Sequence, residues 1–182
     1  MADLFRLSKF LALVLRHRSE AFGLTLDEHG FTDLAAVWAQ VQMRYPGRYT
    51  YDDLLRVVDG GGAGKKRYEI VGDKIRAMVG HSAVRPIMYE AAEPPQTLYH
   101  GTTIHALEAI RREGLTAQKR QYVHLTVQRQ LAETVAARHA GESIILTVRA
   151  ADAHRAGVTF YHPDDVHFLA RAIPPAFIDF PA

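Results

Sequence analysis

The chain has 182 residues, 48% of them apolar, a net charge of +2 and no cysteine. That length holds one large domain or two small ones with packed cores. The missing thiols exclude disulfides and thiolate zinc sites, and the small net charge leaves any nucleic-acid binding to local basic patches.

From the N-terminus, Leu4, Leu7, Phe10, Leu11, Val14 and Leu15 follow helical spacing. The helix they predict ends on Arg16-His17-Arg18, where the macrodipole favours cations. A second helix starts after Thr32 and carries Leu34, Val37, Trp38 and Val41. A third begins at Thr50, with Asp53 completing a capping pattern, and ends at Gly60. Residues 67–71 and 74–79 flank Gly72-Asp73, a two-residue hairpin signal. Arg67, Glu69 and Val71 then share one strand face, Tyr68 and Ile70 the other. Three helices followed by a hairpin is the order of a winged-helix module.

Pro86 and Pro94-Pro95 bracket a linker over 86–96, between an N-terminal lobe at 1–85 and a C-terminal lobe at 97–182. Past the linker the pattern alternates. Thr97–His100 reads as a strand, Ile104–Glu113 as a helix stopped by Gly114, Tyr122–Leu125 as a strand and Gln128–His139 as a helix. Ser143–Arg149 is the most continuous apolar strand. Val158–Tyr161 and Val166–Ala170 are shorter strands separated by His162-Pro163-Asp164-Asp165. The fold class expected is α+β in two lobes. No apolar run reaches the roughly 18 residues of a membrane helix, and Met1-Ala2-Asp3-Leu4-Phe5-Arg6 lacks the features of a signal peptide, so a cytoplasmic location with no membrane partner is expected.

The residues able to carry chemistry are arginines and histidines spread over both halves. They are Arg16-His17, Arg67, His100 in Leu98–Thr102, and Arg120 with His124 in 119–125. Such groups suit phosphate: guanidinium presents a planar fork of donors to phosphate oxygens, and imidazole moves a proton near neutral pH. Basic patches lie at 64–67 and at Arg111, Arg112, Lys119 and Arg120. Gly60–Lys66 does not make a phosphate loop. Asp59 stands where the first glycine belongs, Lys66 stands where Ser or Thr belongs, and the stretch runs from helix to strand. None of the ten histidines shows the helical His-Glu-x-x-His spacing, and no metal is expected.

Taken in order, these segments resemble the KptA family of NAD-dependent RNA 2′-phosphotransferases. The resemblance runs through Leu7–Leu11 and Leu15-Arg16-His17, Gly30-Phe31, Lys66-Arg67-Tyr68, Ile75-Arg76-Ala77 and Gly80-His81-Ser82. It continues through Leu98–Thr102, Gly114-Leu115, Val123-His124-Leu125 and Ile173-Pro174-Pro175. No single piece is specific; the series is. It implies a winged-helix-like RNA-binding lobe and an ADP-ribosyltransferase-like lobe that holds NAD. Val79 departs from the polar residue expected there, and His167-Phe168-Leu169 from an aromatic-led strand.

The implied reaction removes an internal 2′-phosphate from RNA of the tRNA splice-junction type. The phosphate displaces nicotinamide from NAD, giving an RNA-2′-phospho-ADP-ribose intermediate. The ribose O2″ then attacks phosphorus, releasing 2′-OH RNA and ADP-ribose 1″,2″-cyclic phosphate. The resemblance assigns catalysis to Arg16, His17, Arg67 and Arg120, the arginines clamping phosphate and His17 acting as phosphate ligand or as proton donor to the leaving 2′-oxygen. It assigns NAD contacts to His100, Gly101, Thr102, His124 and Leu125, and substrate contacts to Lys66, His81 and Ser82. The third ADP-ribosyltransferase signature position, often glutamate, falls in 166–169 and is not acidic. A monomer suffices. The competing readings are an ADP-ribosyltransferase that modifies nucleic-acid terminal phosphates or protein, and a non-catalytic winged-helix binder that senses NAD.

Overall fold

The computed structural model describes residues 3–61, 66–82, 86–118, 120–138 and 141–181 of a mixed α/β protein. The chain divides into two units, Met1–Met88 and Tyr89–Ala182, each with its own core. Among the described residues no helix is long and apolar enough to cross a membrane.

The first unit opens with α1 (Leu4–Ala12). Asp3 caps it, accepting from the Arg6 N–H at 3.0 Å, and Leu7, Phe10 and Leu11 turn inward. The sequence predicts α-helix through His17. The last turn, Leu13–His17, is instead π-helical, closed by the Arg18 N–H donating to the Leu13 carbonyl at 2.9 Å. This wider turn keeps Val14 and Leu15 buried but takes Arg16 and His17 out of the 3.6-residue register.

β1 (Thr32–Asp33) leads into α2 (Leu34–Arg44), whose first turn is capped by Asp33. α3 (Tyr51–Val58) begins at the expected capping box. Thr50 Oγ1 accepts from the Asp53 N–H at 3.2 Å, and the Asp53 carboxylate accepts from the Thr50 N–H at 3.0 Å. Such a cap contributes about 1 kcal/mol. Residues 62–65 of the glycine-lysine stretch lie outside the described residues.

β2 (Tyr68–Val71) and β3 (Lys74–Ala77) form the predicted hairpin, Ile70 opposite Ile75, and β1 joins the far edge of β3. Tyr68 is fully buried, and its hydroxyl donates to the Ser8 carbonyl of α1 at 2.5 Å. Met88 donates its N–H to the Glu28 carbonyl at 2.7 Å, and Ile87 beside it is buried.

The second unit contains β4 (Thr97–Thr103), α4 (Leu107–Glu113), β5 (Leu115–Thr116), β6 (Val123–Thr126) and α5 (Arg129–Ala136). These are followed by β7 (Ser143–Arg149), α6 (Ala150–Arg155), β8 (Phe160–Asp164), β9 (His167–Ala170), β10 (Ala172–Ile173) and β11 (Ile178–Asp179). Six strands form one antiparallel sheet in the order β11-β7-β4-β6-β9-β8, while β5 and β10 pair apart from it. One sheet face buries Leu98, Leu125, Leu146, Val148 and Phe168 with Ile110 of α4 and Ala153 of α6. Ala92 donates to the Phe160 carbonyl at 2.9 Å.

Several boundaries differ from those predicted. Ile104–Ala106 is a 3₁₀ turn, so the helix proper starts at Leu107. The helix predicted over 128–139 ends at Ala136, with His139 outside the described residues. The separator at 162–165 is largely strand, since β8 runs through Pro163 to Asp164. β8 is the edge of the sheet, where a proline's missing N–H interrupts no ladder.

Candidate active site

In the first unit the motif residues collect where the π-helical turn meets the strand that begins at Tyr68. Arg16 holds its guanidinium 5.8 Å from the Tyr68 ring centre. Burial raises the Tyr68 phenol above its ordinary range, and Arg16 and Arg67 both act against that rise from close by. Arg67 enters β2, its carbonyl accepting from the Met78 N–H at 3.0 Å. Its Nε is buried and has no hydrogen-bond partner among the described residues. Among the described residues one interior arginine donor is therefore left over, a group that a ligand could use. Lys66 beside it is exposed.

The segment Gly80-His81-Ser82 returns to the same turn. Ser82 donates its N–H to the Arg16 carbonyl at 3.1 Å, and its hydroxyl lies 2.6 Å from His17 Nδ1. Ser82 is thus a partner that orients the His17 ring, whatever it also does to substrate. That pairing spans 65 residues, and no spacing rule reveals it. A cavity of about 320 Å³ adjoins His17, lined also by Arg18, Leu24, Asp27 and Ile87. His81, expected at the substrate, is only 3% exposed. Its ring sits against Gly30, where a Cβ would stand 3.3 Å from His81 Nε2. Gly30 has φ of +82°, so the missing side chain serves both the turn and the ring.

In the second unit β4 and β6 are neighbours that pair at one position only, Tyr99 with Thr126. Beyond it the strands part, and a side chain bridges the seam: His100 Nδ1–H donates to the His124 carbonyl at 2.9 Å. His124 in turn donates Nδ1–H to the Tyr122 carbonyl at 3.0 Å. A carbonyl only accepts, so both rings carry their proton on Nδ1. His124 Nε2 is then a buried acceptor without a partner among the described residues.

Gly101 lies under α5. A Cβ there would stand 2.4 Å from the Ala132 carbonyl and 2.9 Å from the Ala136 Cβ. Thr102 sits opposite Ile144 on β7, and the Leu125 side chain belongs to the core, only 1% exposed. Of the Leu125 groups, only the backbone is available to a ligand. Arg120 is exposed, on the loop before β6, and its N–H donates to the Ala117 carbonyl at 2.9 Å. Among the described residues no group of three His, Asp or Glu side chains is placed to hold a metal ion.

Residues 2–172 match the family described as RNA 2′-phosphotransferase, Tpt1 / KptA family. The chain belongs to this family. Among its relatives is a probable RNA 2′-phosphotransferase of Pectobacterium carotovorum, 39% identical over 94% of this chain and 92% of the relative. Others of the same name come from Acetivibrio thermocellus, 37% identical over 99% and 98% of the two chains, and Streptomyces coelicolor, 39% identical over 97% and 95%. An enzyme related over its whole length to 2′-phosphotransferases is the frame for the site residues above.

Two buried rings give this family member a definite acid sensitivity. Desolvation, reinforced by Arg16, His17 and Arg76, lowers the His81 pKa to about 4. Desolvation, reinforced chiefly by Arg120, lowers that of His124 to about 3. Both stay neutral in the folded chain yet take a proton near pH 6.5 once unfolded. The unfolded state therefore binds more protons below that point. The stability these rings contribute is complete above pH 6.5 and drains as pH falls toward 4, at about 1.4 kcal/mol per pH unit per ring. The urea midpoint should drop steeply between pH 6.5 and 4.5, and less so in His81→Asn. A midpoint equally steep in both proteins would contradict the role given to His81.

Proposed function

We propose that this protein removes an internal 2′-phosphate from RNA by transferring it to NAD, yielding 2′-OH RNA, nicotinamide and ADP-ribose 1″,2″-cyclic phosphate. In this reading residues 1–85 form the winged-helix-like, RNA-binding lobe, 86–96 the linker and 97–182 the ADP-ribosyltransferase-like lobe. The observation that carries it is the gathering of Arg16 and Arg67 around Tyr68, with His17 next to Arg16 on the same π-helical turn and, among the described residues, an interior Arg67 donor left over for a ligand.

NAD as the acceptor is supported by the second unit. Two strands that part after one pair leave backbone groups and a buried His124 Nε2 acceptor along a seam. Carbonyls and N–H groups of that kind suit a carboxamide and ribose hydroxyls. NAD supplies an activated C1″ with nicotinamide as leaving group. The backbone of Gly101 and Leu125, with His100, Thr102 and His124, holds it. The 2′-phosphate is already anionic, so the first displacement needs positioning rather than a base. Arg16, Arg67 and Arg120 bind the phosphoryl oxygens, where charge grows in the second step. His17, oriented by Ser82, gives a proton to the departing RNA 2′-oxygen. Lys66 steadies the RNA backbone.

The test is incubation with an internally 2′-phosphorylated oligonucleotide, with and without NAD. Conversion to 2′-OH RNA and cyclic phosphate only when NAD is present is the expected result. A stable ADP-ribosylated RNA would select the transferase reading instead, and bound but unaltered RNA the binding-module reading.

A further inference from the structure

Beyond the motif residues, one more imidazole in the second unit is backed by a carboxylate. Asp164 closes β8, and its Oδ1 accepts from the N–H groups of Val166 and His167 at 3.0 and 2.9 Å. Both carboxylate oxygens also lie 2.8 Å from His167 Nδ1. Four contacts on one carboxylate fix it, and the two side chains are each only 14% exposed. Although burial pushes the carboxyl upward, His167 and the two N–H groups together hold it below its ordinary range, so it stays ionised. An ionised carboxylate accepts the Nδ1 proton and leaves Nε2 of a neutral ring as a basic acceptor.

Register places this ring. Tyr99 pairs with Thr126, and Thr126 with His167, so the three share one sheet face across β4, β6 and β9. His124, two residues before Thr126, points to that face as well. His167 lies close enough to act electrostatically on His124. Among the titratable groups on this side are Asp164 from β8, His124 from β6 and Tyr99 from β4. The face thus holds a ring kept neutral by burial and a ring backed by a carboxylate, an arrangement that separates acid and base roles. The position is also where the sequence offers no glutamate.

We propose that His167, oriented by Asp164, is the general base of the second step, taking the proton of the ribose 2″-hydroxyl through Nε2. This rests on the NAD-dependent reading above. As the proton moves to Nε2, the O2″–P bond forms and the bond from phosphorus to the RNA 2′-oxygen breaks. That oxygen leaves with a proton from His17. Asp164 is a positioning residue that stabilises the imidazolium formed.

Single-turnover reactions with 2′-phosphorylated RNA and NAD separate the steps, nicotinamide release reporting the first and cyclic phosphate the second. In His167→Gln, nicotinamide release should stay within about threefold, while cyclic-phosphate release falls about a hundredfold and ADP-ribosylated RNA accumulates. In Asp164→Asn the second step should slow about tenfold, because the imidazolium has lost its counter-charge. The His167 Nδ1–H, followed by NMR without substrates, should lose its downfield, slowly exchanging signal in that variant, because the carboxylate that accepts it is gone. Equal slowing of both steps, slowing of neither, or an unchanged Nδ1–H signal would overturn the proposal. Failure of the unaltered protein to release nicotinamide would instead overturn the NAD-dependent reading beneath it.

Discussion

Arg67→Ala should lower formation of 2′-OH RNA by about 10²–10³-fold, the scale seen when one preorganised charge-stabilising donor is removed. RNA bearing ADP-ribose on its 2′-phosphate should accumulate, because the first displacement asks for position and the second for charge. The distinguishing feature is what happens to the fold. Arg67 keeps a buried Nε with no partner among the described residues, so truncation removes an unsatisfied donor rather than a structural bond. The melting temperature should hold or rise. Arg67→Lys should recover little activity, since an ammonium cannot reproduce the planar fork. A melting temperature several degrees lower, with activity lost in proportion, would make Arg67 a structural residue and remove it from the site.

Gly101→Ala should behave in the opposite way. The added methyl would meet the Ala132 carbonyl at 2.4 Å, and a helix carbonyl cannot swing aside as a flexible side chain does. α5 must lift from β4, at a cost of about 1–3 kcal/mol. In a unit of this size that is a melting temperature lower by several degrees. On the NAD-dependent reading proposed above, binding of NAD should weaken with it, since β4 carries His100 and Thr102. Calorimetry decides: an unchanged melting temperature would mean that α5 is not seated on Gly101, and that the glycine serves the dinucleotide alone. The sequence reading offered only the second role for this glycine. Packing supplies the first.

The contrast between these two residues shows what was legible beforehand. Local signals read well. The Thr50–Asp53 capping box, the Gly72-Asp73 turn and the Ser143–Arg149 strand all stand where short-range rules place them. What failed to show has tertiary causes. α6 follows β7 directly at Ala150, with no side-chain cap at Arg149 and no Pro or Gly to punctuate it. The two-residue strands β1, β5, β10 and β11 are too short for any periodicity. The π-helical turn under Arg16-His17 has the same apolar spacing as an α-helix until its last residues. For the site, ordered motifs found the residues, but partnerships such as His17 with Ser82, Tyr68 with Ser8 and His100 with the His124 carbonyl join distant segments. His81 and Leu125 were singled out by position in a motif, and their burial was invisible there.

The single rung between β4 and β6 makes the large sheet, in effect, two three-stranded halves: β11, β7 and β4 on one side, β6, β9 and β8 on the other. The halves are interlaced along the chain. The polypeptide passes from one to the other between β4 and β6, β6 and β7, β7 and β8, and β9 and β11, four times in all. No single cut or truncation yields either half alone. Each depends on segments synthesised both before and after its partner, so the weakly bonded middle is stitched shut by connectivity rather than by backbone pairing. Such a seam can spread to admit a flat ring without becoming a line of fracture, and the sheet can spare its central hydrogen bonds because topology already holds it together.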